Sequence, residues 1–531
     1  MEKTPISIFN DVLGPVMRGP SSSHVAGAAR IAALVRQSFN SKIKKAICDF
    51  DVNGSLAASH TGHGSDMGFA CGLLGIDLAS PAVDDFQAAV DAADLEIEYR
   101  ILDYGAIHPG NYRMQVWDQN GFCRIWEAIS TGGGMIEMQK LDGMTVNICG
   151  NFYELLIYCQ KGHKTAEECQ MDISKIIPEY DYCLTASNED TILINIKLAK
   201  EPADDCIEKI KNLDGITDAF LLAPILPTHS RKGCTVPFST AEELLVYAAD
   251  NKMAAWDYAI EYESRCGDVS REKVFAQMDD ILTIMEASVD TGLAGTKYRD
   301  RILGVQSQKI EEAQREKRLI PDPLINEMIN SITAVMECKS SMGVIVAAPT
   351  CGSCGCLPGT VIGLGRYLKL PREQMVQGLL TAGLVGAIFA GEATFSAEVA
   401  GCQVECGAGS CMAAAAVTAM MGGSIENCID AASVALQNIT GLACDPVGNR
   451  VEVPCLGKNI MGGTNAISSA NMILAGYNKV IPLDETIKAI YQIGLSLPLE
   501  LRCTFGGLGM TNTARKIFKK TAVHFEGEPE K

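Results

Sequence analysis

The stretch Gly401-Cys-Gln-Val-Glu-Cys-Gly-Ala-Gly-Ser-Cys-Met-Ala-Ala-Ala-Ala-Val-Thr-Ala-Met-Met-Gly-Gly423 decides the character of the C-terminal half. From Cys411 to Gly423 it carries no charged residue. A helix that is apolar on every side is a buried helix, not an amphipathic surface one. Gly378–Gly391 reads the same way. Both runs are shorter than the roughly 18–20 residues a membrane-spanning helix needs, so both are expected to be core helices. The stretch opens on Cys402, and two more cysteines follow in similar weakly charged surroundings: Cys444 in Ala-Cys-Asp-Pro-Val and Cys455 in Val-Pro-Cys. A thiolate is a soft ligand, and iron–sulfur clusters are held by thiolates. Three thiolates on a four-iron cluster would leave one iron open to act as a Lewis acid on a substrate hydroxyl, as open catalytic zinc acts on water.

Composition narrows the function classes. The chain has 531 residues, enough for three or four domains of about 150 residues each. Its net charge is −19, from 45 basic and 64 acidic residues. That balance argues against nucleic acid and anionic membrane as partners, since both need clustered Lys and Arg. A small anionic substrate needs only one local cationic pocket. The start, Met1-Glu-Lys-Thr-Pro-Ile-Ser-Ile-Phe9, has no long apolar segment, so no signal peptide is expected and the location is expected to be cytoplasmic. A cytosolic chain with 21 cysteines is not a disulfide framework. Most of these cysteines are small buried hydrophobes, but 11 of the 21 fall between Cys338 and Cys503.

Three segments follow one another. Residues 1–145 hold four of the seven histidines, strand patterns at Ala46–Val52 and Leu95–Leu102, and a helix pattern at His24–Val35. Residues 146–232 follow, after a strand pattern at Met144–Cys149: Thr191–Ile196 reads as a strand, Asp204–Lys211 as an amphipathic helix, Leu213-Asp-Gly-Ile216 as a turn and Thr217–Leu222 as a strand. This order resembles a small ferredoxin-like regulatory domain of the ACT type. Pro224–Thr235 reads as a linker. From residue 236 to 531 the chain reads as helical, opening on a capping pattern at Ser239 with Glu242 three residues on. The expected fold is α+β and multidomain: an N-terminal α/β substrate-binding domain, a small ACT-like α+β segment and a mostly α-helical catalytic domain.

Several polar groups stand out. Gly19-Pro-Ser-Ser-Ser-His24 places Ser21, Ser22, Ser23 and His24 at a helix start, where exposed N–H groups and the positive dipole end suit a carboxylate. His60-Thr-Gly-His63-Gly64-Ser-Asp66 sets two histidines among glycines. The pair is a loose match to a metal site, and glycines that let backbone approach a ligand, with His63 as donor or base, fit better. Ala347-Ala-Pro-Thr350-Cys-Gly-Ser353-Cys-Gly-Cys-Leu-Pro358 is a loop whose Thr350 and Ser353 are candidate substrate contacts; its Cys351, Cys354 and Cys356 also leave metal and redox readings open. Asn465, in Gly462-Gly-Thr-Asn-Ala466, is a further polar group in a small-residue run.

Taken together these motifs resemble one family. Ser7-Ile-Phe9, Gly19–His24, Gly62–Asp66, His108-Pro-Gly-Asn111 and Ser130-Thr-Gly-Gly-Gly134 are similar to the N-terminal part of iron–sulfur L-serine dehydratases. Ala348-Pro-Thr350, Gly352-Ser353, Gly401–Glu405, Gly441–Val447, Val451–Cys455 and Asn465-Ala-Ile467 are similar to their catalytic part, in the family's order. The resemblance covers about residues 1–145 and 236–515. It implies a [4Fe–4S] cluster on Cys402, Cys444 and Cys455 with one open iron, no pyridoxal phosphate, and a homodimer. It also implies an active site closed between two domains. The chain departs from the family at Val25 (usually Thr) and at Cys503 (usually Glu), and Cys351, Cys356, Cys406 and Cys411 are not standard ligands. Residues 145–232 are an insertion relative to the shorter single-chain forms.

The expected reaction is dehydration and deamination of a β-hydroxy amino acid, L-serine, to pyruvate and ammonia. His63, His24 or a hydroxyl of Ser21–Ser23 is the candidate base, and the serine run the candidate carboxylate grip. The same chemistry on L-cysteine or L-threonine, or a non-catalytic amino-acid sensor, are the alternatives. One methyl in a pocket changes discrimination by only about 1–3 kcal/mol.

Overall fold

A computed structural model describes residues 4–298, 301–504 and 506–521. By contacts the chain divides into two units, and the division does not follow the chain order. Of the described residues, one unit takes Thr4, 26–57 and 65–235; the other takes Pro5–Val25, Ala58–Gly64 and those from Val236 onward.

The first unit is built on a six-stranded sheet. Its strands run in the order Glu96–Leu102, Ile43–Asp51, Asn111–Asp118, Cys123–Gly132, Met135–Leu141 and Met144–Ile148. The first pair is parallel and the others antiparallel. Tyr112, Met114 and Val116 alternate into the core, as a sheet with one buried face requires. Helices Gly27–Gln37 and Ser65–Leu74 lie against each other. A Cβ on Gly72 would stand 2.3 Å from the Ala29 carbonyl oxygen, so only glycine permits that approach.

The second layer of this unit spans Tyr153–Leu222. It is a β-α-β-β-α-β unit with antiparallel strand order Ile216–Leu222, Tyr153–Gln160, Thr191–Leu198, Tyr182–Ser187. The strands expected near residues 191 and 217, and the helix near 204, are present. Helix Ala166–Ser174 starts on a capping box of Thr165 and Glu168. It packs with Cys206–Lys211 over Leu155, Ile157, Ile194 and Ile196. The opposite face, through Leu156, Tyr158, Leu193 and Phe220, joins the core of the larger sheet. In that face Glu154, Asn195 and Lys197 are buried together: Lys197 Nζ lies 2.7 Å from Glu154 Oε1, and Asn195 Nδ2 donates to Glu154 Oε2 at 2.8 Å.

The second unit is helical. Its central helix, Cys406–Met420, is buried on almost every side, which accounts for its lack of a polar face. Around it pack Cys356–Leu368, Arg372–Glu392, Ile425–Gln437 and Cys455–Leu474. The apolar run at 378–391 lies in Arg372–Glu392, which has 21 residues and by length and composition alone could cross a membrane; 78% of its apolar window is buried in the unit. Val16–Met17 pairs antiparallel with Ile345–Val346 and ties the N-terminal segment to this unit. The expected cap at Ser239 is displaced by one residue: Thr240 caps helix Ala241–Asp250 and accepts from the Glu243 backbone N–H. Asp484 accepts from the N–H groups of Ala241 and Glu242, each at 2.9 Å, and fixes that register.

Breaking a buried ion pair from one side strands the other charge. Lys197→Ala should therefore destabilise the first unit by about 3–5 kcal/mol, and the double variant Lys197→Met/Glu154→Leu should recover most of it. Thermal unfolding followed by circular dichroism measures both.

Candidate active site

Three groups of side chains meet in the helical unit. The first is a histidine pair. The turn that begins at Ser22 carries His24 inward, where it is 2% exposed. Its Nδ1 is 2.8 Å from Ser21 Oγ and its Nε2 is 2.7 Å from Ser59 Oγ. Ser22 Oγ accepts from the Cys351 backbone N–H at 3.2 Å, and Ser23 lies in the same turn. His63 is 1% exposed and its ring stands edge-on to His24 at 4.7 Å. The His63 backbone N–H donates to Ser59 O at 2.8 Å, and Gly64, at φ +85°, then turns the chain away. Burial pushes both histidines down to about 3; His60 adds to this for His24, and the His24 charge adds to it for His63. Both rings are therefore neutral at pH 7. Among the described residues, His63 Nε2 has no hydrogen-bond partner.

The second group is the loop ahead of helix Cys356–Leu368. Thr350 Oγ1 lies 3.1 Å from Ser353 Oγ and donates to Glu405 Oε1. Burial, then the charge of Cys402, pushes Glu405 up to about 8, so its carboxyl holds a proton at neutral pH. Glu398 Oε1 stands 3.9 Å from His24 Nδ1, and its charge bears on His63, Glu405 and Cys503. It is the electrostatic link between the histidines and the third group.

That third group is a knot of thiols. Cys402, Cys406 and Cys444 pack together with Cys503 against them. Thiols of Cys406 and Cys444 donate to Cys402 and, with Lys458, hold it well below the usual cysteine range. Cys444 also contacts the Cys503 thiol, and Cys455 lies within range of the Cys402 charge. Backbone bonds of 2.9 Å from Cys444 to Leu501 O and from Cys503 to Cys444 O fasten the two segments side by side. Lys458 Nζ reaches Ala443 O at 2.6 Å and Asp445 Oδ1 at 2.8 Å. None of the 21 cysteines is in a disulfide. Among the described residues, no group of three or more His, Cys, Asp or Glu is arranged to hold a single metal ion. Converging thiols beside a lysine are donors of the type that an iron–sulfur cluster takes.

Asn459 joins the second and third groups. Its Oδ1 accepts from the N–H groups of Gly355 (3.2 Å) and Cys356 (2.9 Å). Its Nδ2 donates to Gly352 O and Cys455 O, both at 2.8 Å. Asn465 does something else: its amide bonds Ser410 Oγ, Ala435 O and Asn438, cross-linking helices. Of the candidates read from sequence, His24, His63 and Ser21 come together, as do Thr350 and Ser353, and Cys402 and Cys444. The motifs at His108 and Ser130–Gly134 belong to the sheet unit. Sequence reading did not single out Ser59, Glu398, Glu405, Lys339, Lys458 or Asn459. Glu405 had a signal, being the sole acidic residue of 401–423.

The chain is similar in sequence to proteins of one family. The family model described as serine dehydratase alpha chain matches residues 250–508, and the one described as serine dehydratase beta chain matches residues 11–141. A probable L-serine dehydratase alpha chain of Bacillus subtilis is 39% identical over 284 residues, which is 53% of this chain and 95% of that protein. An L-serine dehydratase of Streptomyces coelicolor is 25% identical over 521 residues, covering 95% of this chain and 98% of its own. L-serine dehydratase 1 of Escherichia coli is 24% identical over 521 residues, covering 95% and 99%. With a relative at 39% identity covered almost end to end and both family regions on one polypeptide, the chain belongs to the serine dehydratase family, as a single-chain form with alpha-type and beta-type parts fused.

Proposed function

We propose that this protein is an L-serine ammonia-lyase that converts L-serine to pyruvate and ammonia, losing water in a first dehydration and taking it back on hydrolysis. The observation that carries the reading is His63: a buried, neutral imidazole with an unpartnered Nε2, set in the same unit as the thiol knot and linked to it through Glu398. The relatives' names agree with it. No observation favours L-cysteine, L-threonine or a non-catalytic sensor.

The serine dehydratase family is generally iron–sulfur-dependent. Cys402, Cys444 and Cys455 are the residues we assign to hold a [4Fe–4S] cluster, which when bound would supply a Lewis acid for the substrate hydroxyl. The protein's own groups do the remainder. His63 Nε2 accepts the proton from the substrate Cα, since a neutral imidazole has a lone pair to offer. His24, held at both nitrogens by Ser21 and Ser59, keeps the His63 ring edge-on. Ser21, Ser22, Ser23 and Gly64, in the turns that carry the histidines, are assigned to bind the substrate, and Thr350 and Ser353 supply hydroxyls beside protonated Glu405. Loss of the Cα proton and the β-hydroxyl leaves aminoacrylate, which tautomerises and hydrolyses to pyruvate and ammonium. The proposal includes a cytoplasmic homodimer without nucleic-acid or membrane partners, in keeping with the net charge of −19. It also includes an ACT-type regulatory role for residues 146–232, in keeping with their β-α-β-β-α-β order.

Anaerobic purification followed by iron, sulfide and pyruvate assays on one sample tests the reading. Cys402→Ser, Cys444→Ser or Cys455→Ser should each remove iron and pyruvate formation together. A clusterless Cys444→Ser protein with full activity would overturn the assignment.

His63→Gln should lower kcat by about 10²- to 10⁴-fold, the usual worth of a positioned base, with iron content unchanged. The competent form of His63 is the neutral one, which persists until pH falls through about 3. The kcat/KM profile should therefore show no inflection near 6.5, where an exposed histidine titrates. An inflection there that His63→Gln abolishes would contradict this role.

A further inference from the structure

The three cysteines assigned to the cluster lie on three separate segments. Cys402 opens a short 3-10 turn, Cys402–Val404. Cys444 lies in the stretch that joins helices Ile425–Gln437 and Cys455–Leu474, and Cys455 is the first residue of the second of these. A connecting stretch keeps a fixed place where other groups tie it down. Two side chains do so here. Gln403 is fully buried; its Oε1 accepts from the Gly441 N–H at 2.8 Å, and its own backbone N–H donates to Leu442 O at 3.1 Å. This binds the Cys402 turn to the residues just ahead of Cys444.

Lys458 ties the same stretch to the third segment. It stands three residues after Cys455 in the first turn of the helix, and residues three apart are neighbours on a helix surface. Its Nζ donates to Ala443 O at 2.6 Å and to Asp445 Oδ1 at 2.8 Å, so it grips the residue before Cys444 and the residue after it. Asp445 extends the link: its Oδ2 accepts from the Leu508 N–H at 3.0 Å, which brings in the C-terminal segment that carries Cys503. The Lys458 and Asp445 side chains are 13% and 11% exposed, so solvent competes little for these bonds. Charge-assisted hydrogen bonds are short and among the stronger ones.

We propose that Lys458, held by Asp445, is the positioning residue that sets Cys444 against Cys455 and so lets the chain retain its cluster, a proposal that rests on the cysteine assignment made above. The role is one of placement: it needs Nζ to reach both sides of Cys444 from the helix that carries Cys455. Groups that orient metal ligands are typically worth about 10- to 100-fold in metal affinity.

The test uses Lys458→Met, Lys458→Arg and Asp445→Ala in the full chain, purified and reconstituted without oxygen. Iron and sulfide are measured during titration with an iron chelator, and circular dichroism reports the fold. The chelator concentration that removes half the iron should fall about 10- to 100-fold in Lys458→Met, and Lys458→Arg should recover most of the difference. Asp445→Ala separates placement from charge, since it keeps the ammonium and removes one of its two anchors; it too should release iron at lower chelator concentration. A Lys458→Met protein that holds iron as the wild type does overturns the proposal. An Asp445→Ala protein that does so, beside a labile Lys458→Met, also overturns it and assigns Lys458 to balancing the charge of the cluster. Should either variant fail to fold, Lys458→Gln or Asp445→Ser is read by the same criteria. A wild type that takes up no iron overturns the cysteine assignment and the placement role with it, whereas iron uptake by the wild type with unchanged retention in the variants overturns the placement role alone. Pyruvate release from L-serine is scored separately, so failure of the lyase reading is distinct from both.

Discussion

The helical unit depends on one side-chain amide. Asn459 makes hydrogen bonds to Gly352, Gly355, Cys356 and Cys455 from a position of complete burial. A buried amide left unbonded is costly, so an arrangement that satisfies both its ends is held firmly. Here the amide ties the Thr350–Cys356 loop to the first turn of the helix that begins at Cys455. The hydroxyls of Thr350 and Ser353 and the thiol of Cys455 are therefore placed by one residue. Around it, small residues let helices approach closely enough that the loop has nowhere else to go: a Cβ on Gly359 would stand 2.5 Å from the Ile332 side chain.

Dry surroundings then set the chemistry. Burial disfavours whichever form is charged unless a specific partner compensates. The same environment thus gives three different results. His24 and His63 are held neutral. Glu405, where burial and the Cys402 charge outweigh the Lys339 charge, keeps its proton. Cys402, which receives thiol hydrogen bonds and lies near Lys458, is the exception and is held well below the usual cysteine range. The three groups are shifted in different directions because their partners differ, not because their burial does.

Much of this was legible in the sequence. The alternation of Thr191–Ile196 reported a strand, and Thr191–Leu198 is one. The featureless run after Cys411 reported a buried helix. Where sequence reading faltered, the deciding partner was distant. Ser239 and Thr240 each have a glutamate three residues on, so either fits a capping pattern; Asp484, far along the chain, selects Thr240 by bonding the next two N–H groups. Tyr153–Gln160 went unread because it is buried on both faces, which erases the period of two that marks a half-buried strand. Asn459, in the same small-residue helix as Asn465, went unread because its partners Gly352 and Cys356 lie far along the chain.

By itself the sequence determined which residue types are present and their local periodicity: thiols in apolar surroundings, histidines beside glycine and serine, helices without a polar face. These are properties of neighbours along the chain, and hydrophobic spacing reports them directly. The tertiary structure alone decided that Pro5–Val25 and Ala58–Gly64 leave the sheet unit and join the helical one. It alone decided that His24 meets His63, and that Cys406 and Cys503 stand with Cys402 and Cys444. Those outcomes depend on which distant surfaces bury each other, and burial sets the charge state of every group they enclose.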